Sequence, residues 1–210
     1  MIKKTPFNTV GELLENQTFI YVVGSDQTPG ANQSIFMRGG NSNQTSILIN
    51  GNRVSDPSTP NGAIDISELS LANVERIEIL RGSHSAVYGT GTIGGVINII
   101  TKDGSDGVSG DVSAQLGFIG DGGISNIQTA FFNYGYQGFY INGSIFNNST
   151  NGLNAARDTT TSENFRVNDE DDFTKTDVST QLGYNSDELN VFVGFKKTDQ
   201  QANIDQSAFS

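Results

Sequence analysis

The chain has 210 residues, of which 35% are hydrophobic and 25 are glycine, and its formal net charge is −11. This low apolar share fits strands with one wet face and long polar loops, and fits a helix bundle badly. The acidic balance excludes a nucleic-acid-binding surface, which needs clustered Lys and Arg. The absence of cysteine excludes disulfides and thiolate metal sites.

The first half of the chain is predicted to mix α and β structure. Residues 9–12 fit a capping box, in which Thr9 and Glu12 would open a short helix. Gly-Gly and Asn-Gly separate the short apolar runs that follow and are predicted to form turns. The predicted elements in chain order are a helix through residue 14, strands 34–38 and 46–50, a helix 70–75, and strands 76–80 and 95–101.

The second half is predicted to be an antiparallel sheet. Residues 104–110 are rich in Gly, Ser and Asp and indicate a linker, and apolar and polar residues then alternate with period two. Short turns at 135–137 and 185–187, opposed to a long polar loop at 147–172, favour a transmembrane barrel. A soluble sandwich gives the same alternation with its apolar face turned inward. Five strands cannot close a lipid-spanning barrel, so we expect no functional pore from this chain alone.

Three ordered blocks carry a resemblance to a known family. Residues 73–102 read NVERIEILRGSHSAVYGTGTIGGVINIITK, and upstream blocks read IFMRG at 35–39 and LINGNRV at 48–54. This pattern resembles the plug domain of TonB-dependent receptors. The resemblance implies an α+β plug domain over 1–103, a linker over 104–110, and the first antiparallel β strands of an incomplete transmembrane β-barrel over 111–210. The signal peptide, the TonB box and the first plug strand are expected to be missing, with Met1 an internal methionine or a truncated start.

The resemblance also implies a function and a location. We expect TonB-dependent uptake of a scarce nutrient across a Gram-negative outer membrane, without enzyme activity. The expected partners are TonB (whose contact segment would be missing here), a small-molecule nutrient and outer-membrane lipid. The barrel region looks most like the cobalamin-receptor type, so cobalamin is the first expected ligand. A ferric siderophore is the alternative ligand. A soluble β-sandwich binding or adhesion module is the alternative from another class.

Two sets of site residues follow from the same resemblance. A movable plug needs charged contacts to a wet barrel wall, and Arg–carboxylate pairs are directional enough to supply them. The candidates for this plug–barrel interface are Arg38, Glu75, Glu78 and Arg81; solvated strand-end charges are the alternative interpretation. The candidates for ligand-facing plug loops are Asn41, Ser42, Asn43, Ser55, Asp56 and Ser58.

The acidic run at 168–172 lies in the long polar loop. It lacks the glycine and the closing Glu of an EF-hand, and a solvated charge run is its default interpretation. The resemblance to the cobalamin-receptor type implies calcium ligands at Asp169, Asp171 and Asp205, although Asn154 falls where that type has an aspartate. Calcium is therefore an expected ion, while no cofactor is required.

Two other motifs have plainer interpretations. Residues 89–94 match G-x-G-x-x-G, but a β-branched strand follows them where a dinucleotide site needs a helix, so these glycines are predicted to be turns. His84 is the only histidine and lies between two serines. Residues adjacent in sequence rarely face one another as a hydrolase triad requires, so a surface histidine is expected.

Overall fold

The computed structural model describes residues 6–24, 30–59, 62–119, 123–153 and 171–202. The chain divides into two compact units. The first comprises Met1–Gln27 with Ala31–Gly104, and the second comprises Thr28–Gly30 with Ser105–Ser210. No helix within the described ranges is long and apolar enough to cross a membrane.

Helix α1, Val10–Glu15, begins with the predicted cap. Thr9 Oγ1 accepts a hydrogen bond from the Glu12 backbone N–H at 3.3 Å. The reciprocal bond of a capping box would go to the Thr9 backbone, but Glu12 Oε2 instead accepts from Asn8 N at 2.8 Å. The first bond satisfies one of the backbone donors that a helix start leaves unpaired, and the second ties the chain before the cap to the helix.

The first unit contains two small sheets built on an aliphatic core. Its strands are β1 Ile20–Val23, β2 Ser34–Met37, β3 Thr45–Ile49, β4 Asn52–Val54, β5 Val74–Arg81 and β6 Gly95–Thr101. Strands β1 and β2 pair antiparallel, and the larger sheet has the order β4-β3-β6-β5 with β3 and β6 parallel. Buried core side chains are Val10, Leu14, Ile20, Val22, Ile35, Met37, Ile47, Ile66, Leu69, Leu71, Val74, Ile97 and Ile99.

The predicted helix at 70–75 is wrong. Ser70 forms an isolated bridge with Thr9, a turn follows, and β5 begins at Val74. Leu71 and Val74 are both buried, and an extended chain places them in the core on either side of the turn. A 3₁₀ turn, Ile66–Glu68, precedes this segment. Strand β1 and the four-residue helix α2, Ser85–Tyr88, were not predicted.

The second unit is a five-stranded antiparallel sheet in sequence order. Its strands are β7 Gly107–Ile119, β8 Gly123–Tyr136, β9 Phe139–Leu153, β10 Asp171–Asn185 and β11 Asn190–Ala202. Because β7 and β11 are edges, the sheet is not closed, as expected for five strands. β7 begins inside the stretch predicted as a linker. β9 and β10 extend into the stretch predicted as a long loop, because Asn, Ser and Thr still pair through their backbones.

The apolar face of this sheet is exposed. Val112, Phe118 and Val193 retain 84%, 88% and 76% of their accessible surface. On the opposite face, Lys175 and Asp177 are buried and form an ion pair with 3.6 Å between Nζ and Oδ2. In a soluble sandwich the apolar face would be covered and the polar face wet, so the sandwich alternative is wrong.

Aromatic rings from the neighbouring strand pack over two glycines of the sheet. Gly143 pairs in register with Phe132, and a Cβ added at Gly143 would lie 2.8 Å from Phe132 Cε1. Gly183 pairs with Tyr140, and a Cβ there would lie 2.5 Å from Tyr140 Cζ. The rings therefore cover backbone that only glycine leaves open.

Candidate functional site

The topology of the larger sheet in the first unit brings three loops to one end. The first residue of β3, Thr45, pairs with Gly95 at the start of β6. Arg81 at the end of β5 also pairs with Gly95, and β4 ends at Val54 opposite Ile47. The loops at 38–44, 55–65 and 82–94 therefore leave the sheet at the same end. We call this the loop end.

The first of these loops is a compact polar turn. A 3₁₀ turn, Ser42–Gln44, follows Asn41. The Gln44 backbone N–H donates to Asn41 O at 2.9 Å, and the Asn41 N–H donates to Gln44 Oε1 at 2.9 Å. Asn41 and Asn43 are exposed. The turn bonds its own backbone and therefore holds these two exposed residues at its surface.

The second loop is organised around Asp56. Its Oδ1 accepts from the Ser58 backbone N–H at 2.8 Å, and its backbone O accepts from Thr59 Oγ1 at 3.0 Å. Hydrogen bonds from the Ser58 side chain and backbone hold the pKa of Asp56 below its ordinary value of 3.8. The carboxylate is therefore charged at neutral pH. Ser55 and Ser58 are exposed beside it.

The third loop is held by side chains of β3 and β4 and by one backbone bond to the first loop. Arg53 Nη1 donates to Thr90 O at 2.7 Å, and Ser46 Oγ donates to Gly91 O at 3.3 Å. The Gly94 backbone N–H also donates to Gln44 O at 2.9 Å. Sequence reasoning missed Arg53, although its block, LINGNRV, had been singled out. Nothing in the block shows that this arginine reaches a loop far along the chain.

A narrow cleft also lies between the first two loops. Residues of both loops and of the strands beneath them form its walls. They are Ser34, Ile35, Ser42, Asn43, Thr45, Ser46, Ile47, Arg53, Val54, Gly62, Ala63 and Ile64. The structure thus places the loops of all six predicted ligand-facing residues at the loop end, and contact with a ligand stays a prediction.

Arg38 and Arg81, two of the predicted plug–barrel contacts, also lie at the loop end. Arg38 and Gly39 have φ of 54° and 77°, and the Gly40 N–H donates to Met37 O at 3.0 Å, as in a type I′ turn. A left-handed conformation is costly for arginine, and such strain is concentrated at functional positions. A Cβ added at Gly82 would lie 3.6 Å from Arg38 Nη1, so the two Arg-Gly pairs are neighbours.

Glu75 and Glu78, the other two predicted contacts, lie on β5 and pair with Arg76. The distances are 3.3 Å from Nη1 to Glu75 Oε1 and 2.9 Å from Nε to Glu78 Oε1. Glu78 Oε2 also accepts from Asn98 Nδ2 at 3.2 Å. The Arg76 hydrogen bond, followed by that from Asn98, lowers the pKa of Glu78. Sequence reasoning did not anticipate Arg76 as their partner, and contact of any of the four with a barrel wall stays a prediction.

The predicted calcium ligands cannot be placed. Asp169 and Asp205 lie outside the described residues, and only the backbone of Asp171 is described, at the start of β10. Within the described part of the chain, no group of three or more His, Cys, Asp or Glu could hold a metal ion.

Gly89 and Gly91 have positive φ and precede a strand, so the interpretation of these glycines as turns is confirmed.

These features define a class of protein. A mixed α+β unit with Arg-Gly turns at one end precedes antiparallel strands whose apolar face is exposed. This is the arrangement of a receptor plug domain followed by strands of a membrane barrel. Residues 1–96 match the family model of the TonB-dependent receptor plug domain.

Particular relatives agree with this assignment. The chain is 40% identical over 118 residues to the vitamin B12 transporter BtuB of Vibrio cholerae, an alignment covering 55% of this chain and 18% of that protein. It thus spans less than a fifth of the curated relatives it matches.

Solved structures share the fold. One is a mutant ferric enterobactin receptor of Pseudomonas aeruginosa in complex with enterobactin, with a TM-score of 0.71, 22% identity, and 96% and 32% of the two chains covered. The siderophore receptor PirA of Acinetobacter baumannii has a TM-score of 0.67 and 21% identity, with 96% and 30% covered. At these identities the likeness concerns the fold alone.

Proposed function

We propose that this chain is the plug and the first barrel strands of an outer-membrane receptor that imports cobalamin with energy delivered by TonB. The observation that supports cobalamin as the ligand is the 40% identity over 118 residues to a vitamin B12 transporter. The receptor acts by binding and transport, and no enzyme chemistry is proposed.

The outer membrane is the proposed location because the second unit suits a bilayer. Its strands have thirteen to fifteen residues, more than the roughly 9–11 that a tilted strand needs to span the hydrocarbon layer. The exposed side chains of its apolar face would lie against lipid. In water the same face would promote aggregation.

The loop end offers suitable chemistry for cobalamin. Asn41, Asn43, Ser55 and Ser58 present neutral hydrogen-bonding groups, and the corrin ring carries peripheral amides that can both donate and accept hydrogen bonds. A ferric siderophore is the second candidate. It is favoured by Arg38, Arg53 and Arg81 at the same end, because guanidinium groups bind anionic chelates well.

The test is ligand binding by the full-length protein. Labelled cyanocobalamin should bind, and ferric enterobactin should not compete. Replacing Asn41 and Asn43 together with alanine should weaken binding about tenfold, at roughly 0.5–1.5 kcal/mol per hydrogen bond. Asn52→Ala is the matched control, since this exposed asparagine begins β4 at the opposite end of the sheet. If ferric enterobactin binds and cyanocobalamin does not, the ligand is a ferric siderophore and the cobalamin proposal is wrong.

Calcium at Asp169, Asp171 and Asp205 is also proposed, on the resemblance alone. Hard divalent cations prefer carboxylate oxygens, and adjacent carboxylates repel one another without a cation. Chelating calcium should weaken cyanocobalamin binding by the full-length protein. Replacing Asp169 and Asp171 with asparagine should remove that dependence. An affinity that chelation leaves unchanged would refute the calcium site.

A further inference from the structure

We propose that Arg53 is the positioning residue of the loop end. Its guanidinium holds the turn at Thr90 and Gly91 against the turn at Asn41–Asn43, so that the loops present one fixed surface to the ligand. The ligand part of this inference rests on the proposed function, whereas the clamp itself does not.

The contacts place Arg53 between loops that are far apart in sequence. Arg53 belongs to β4, the strand that leads into the loop of Asp56. Its Nη1 donates to Thr90 O at 2.7 Å. Its Nη2 lies 2.9 Å from the position of a Cβ added at Gly91. One side chain therefore connects the second loop to the third.

Gly91 completes the arrangement from the other side. Its φ is 84°, and an added Cβ would lie 3.1 Å from Asn43 O as well as close to Arg53 Nη2. An alanine here would be strained by its positive φ and would fit only if the guanidinium moved away. The third loop is thus held closely between Arg53 and the backbone of Asn43.

The clamp also suits the chemistry of arginine. Its planar guanidinium can donate to a carbonyl through one nitrogen while a second nitrogen lies over the neighbouring residue. A lysine at this position would keep one donor and lose the planar contact. Arg53→Lys should therefore retain part of the effect, and Arg53→Gln should lose most of it.

Hydrogen exchange tests the clamp without any ligand. The Gly94 N–H donates to Gln44 O, and the His84 N–H donates to Thr92 O, so both amides report on the third loop. In the full-length protein, Arg53→Gln should make them exchange about tenfold faster, the effect of losing one hydrogen bond to a charged donor. Exchange within β6 should not change. Arg76→Gln, an arginine of the same sheet bonded to Glu75 and Glu78, is the matched control and should leave both amides unaffected.

A double-mutant cycle separates a clamp from general destabilisation. Gly91→Ala should open the same contact from the loop side, so Arg53→Gln should add little to it. Additive effects of the two changes would overturn the proposal, as would unchanged exchange in Arg53→Gln.

Cyanocobalamin binding provides the second readout. Arg53→Gln should weaken binding about tenfold, with Arg53→Lys intermediate, if the clamp fixes the ligand surface. Full affinity alongside accelerated exchange would overturn the positioning role. If the unaltered protein binds no cyanocobalamin, the proposed ligand is wrong, and hydrogen exchange still decides whether Arg53 forms the clamp.

Discussion

Gly95→Ala should destabilise the first unit strongly. Gly95 begins β6, where φ is +154° and the strand passes close to two neighbours. A Cβ there would overlap Met37 Sδ and would lie 2.5 Å from Leu80 O. The sulfur belongs to a flexible side chain, but the Leu80 carbonyl is backbone within the sheet and cannot move without breaking the pairing of β5 with β6.

The size of the effect has two parts. A φ of +154° is one that residues with a Cβ rarely adopt, and the strain costs about 1 kcal/mol. Forcing extra volume into a packed core costs about 2 kcal/mol more, since Met37 is fully buried. We expect the free energy of unfolding to fall by about 3 kcal/mol, which sums these two contributions.

Gly51→Ala is the matched control. Gly51 has φ of +80° in the turn of the same sheet, and nothing lies within 4 Å of its added Cβ. It should cost only the strain of about 1 kcal/mol. Hydrogen exchange of the β6 amides in the full-length protein measures the opening free energy of both variants. Equal losses in the two would refute the steric argument.

Three further predictions concern charge, packing and lipid. The hydrogen bond from Arg76 is the largest cause of the lowered pKa of Glu78, so the ionised carboxylate stabilises the fold at pH values above the ordinary glutamate pKa of 4.5. This stabilisation is lost as the pH falls through the lowered pKa. In an acid titration, the free energy of unfolding should therefore fall more steeply than it does in Glu78→Gln. Gly183→Ala should cost about 1–3 kcal/mol by displacing the Tyr140 ring, and Tyr140→Leu should recover part of it in a denaturant titration; no recovery would contradict that contact. Val193→Lys should impair membrane insertion by about 2–4 kcal/mol, measured by the folded fraction in lipid, whereas normal insertion would show that this face does not meet lipid.

The sequence by itself determined the alternating strands of the second unit and the start of α1. Period-two alternation predicted the sheet of the second unit, because successive side chains of a strand point to opposite sides. Capping chemistry predicted the start of α1, since Thr9 and Glu12 act within one helical turn. These features depend on residues only a few positions apart, so they can be predicted from the sequence.

Only the tertiary structure decided the rest. Alternation does not say which face is covered, and the exposure of Val112 and Phe118 was needed to exclude a sandwich. The contact of Arg53 with Thr90 depends on side-chain directions that no short pattern encodes. The loop end exists because the parallel pairing of β3 and β6 brings together segments about fifty residues apart. Long-range contacts of this kind are properties of the folded chain, and local sequence cannot specify them.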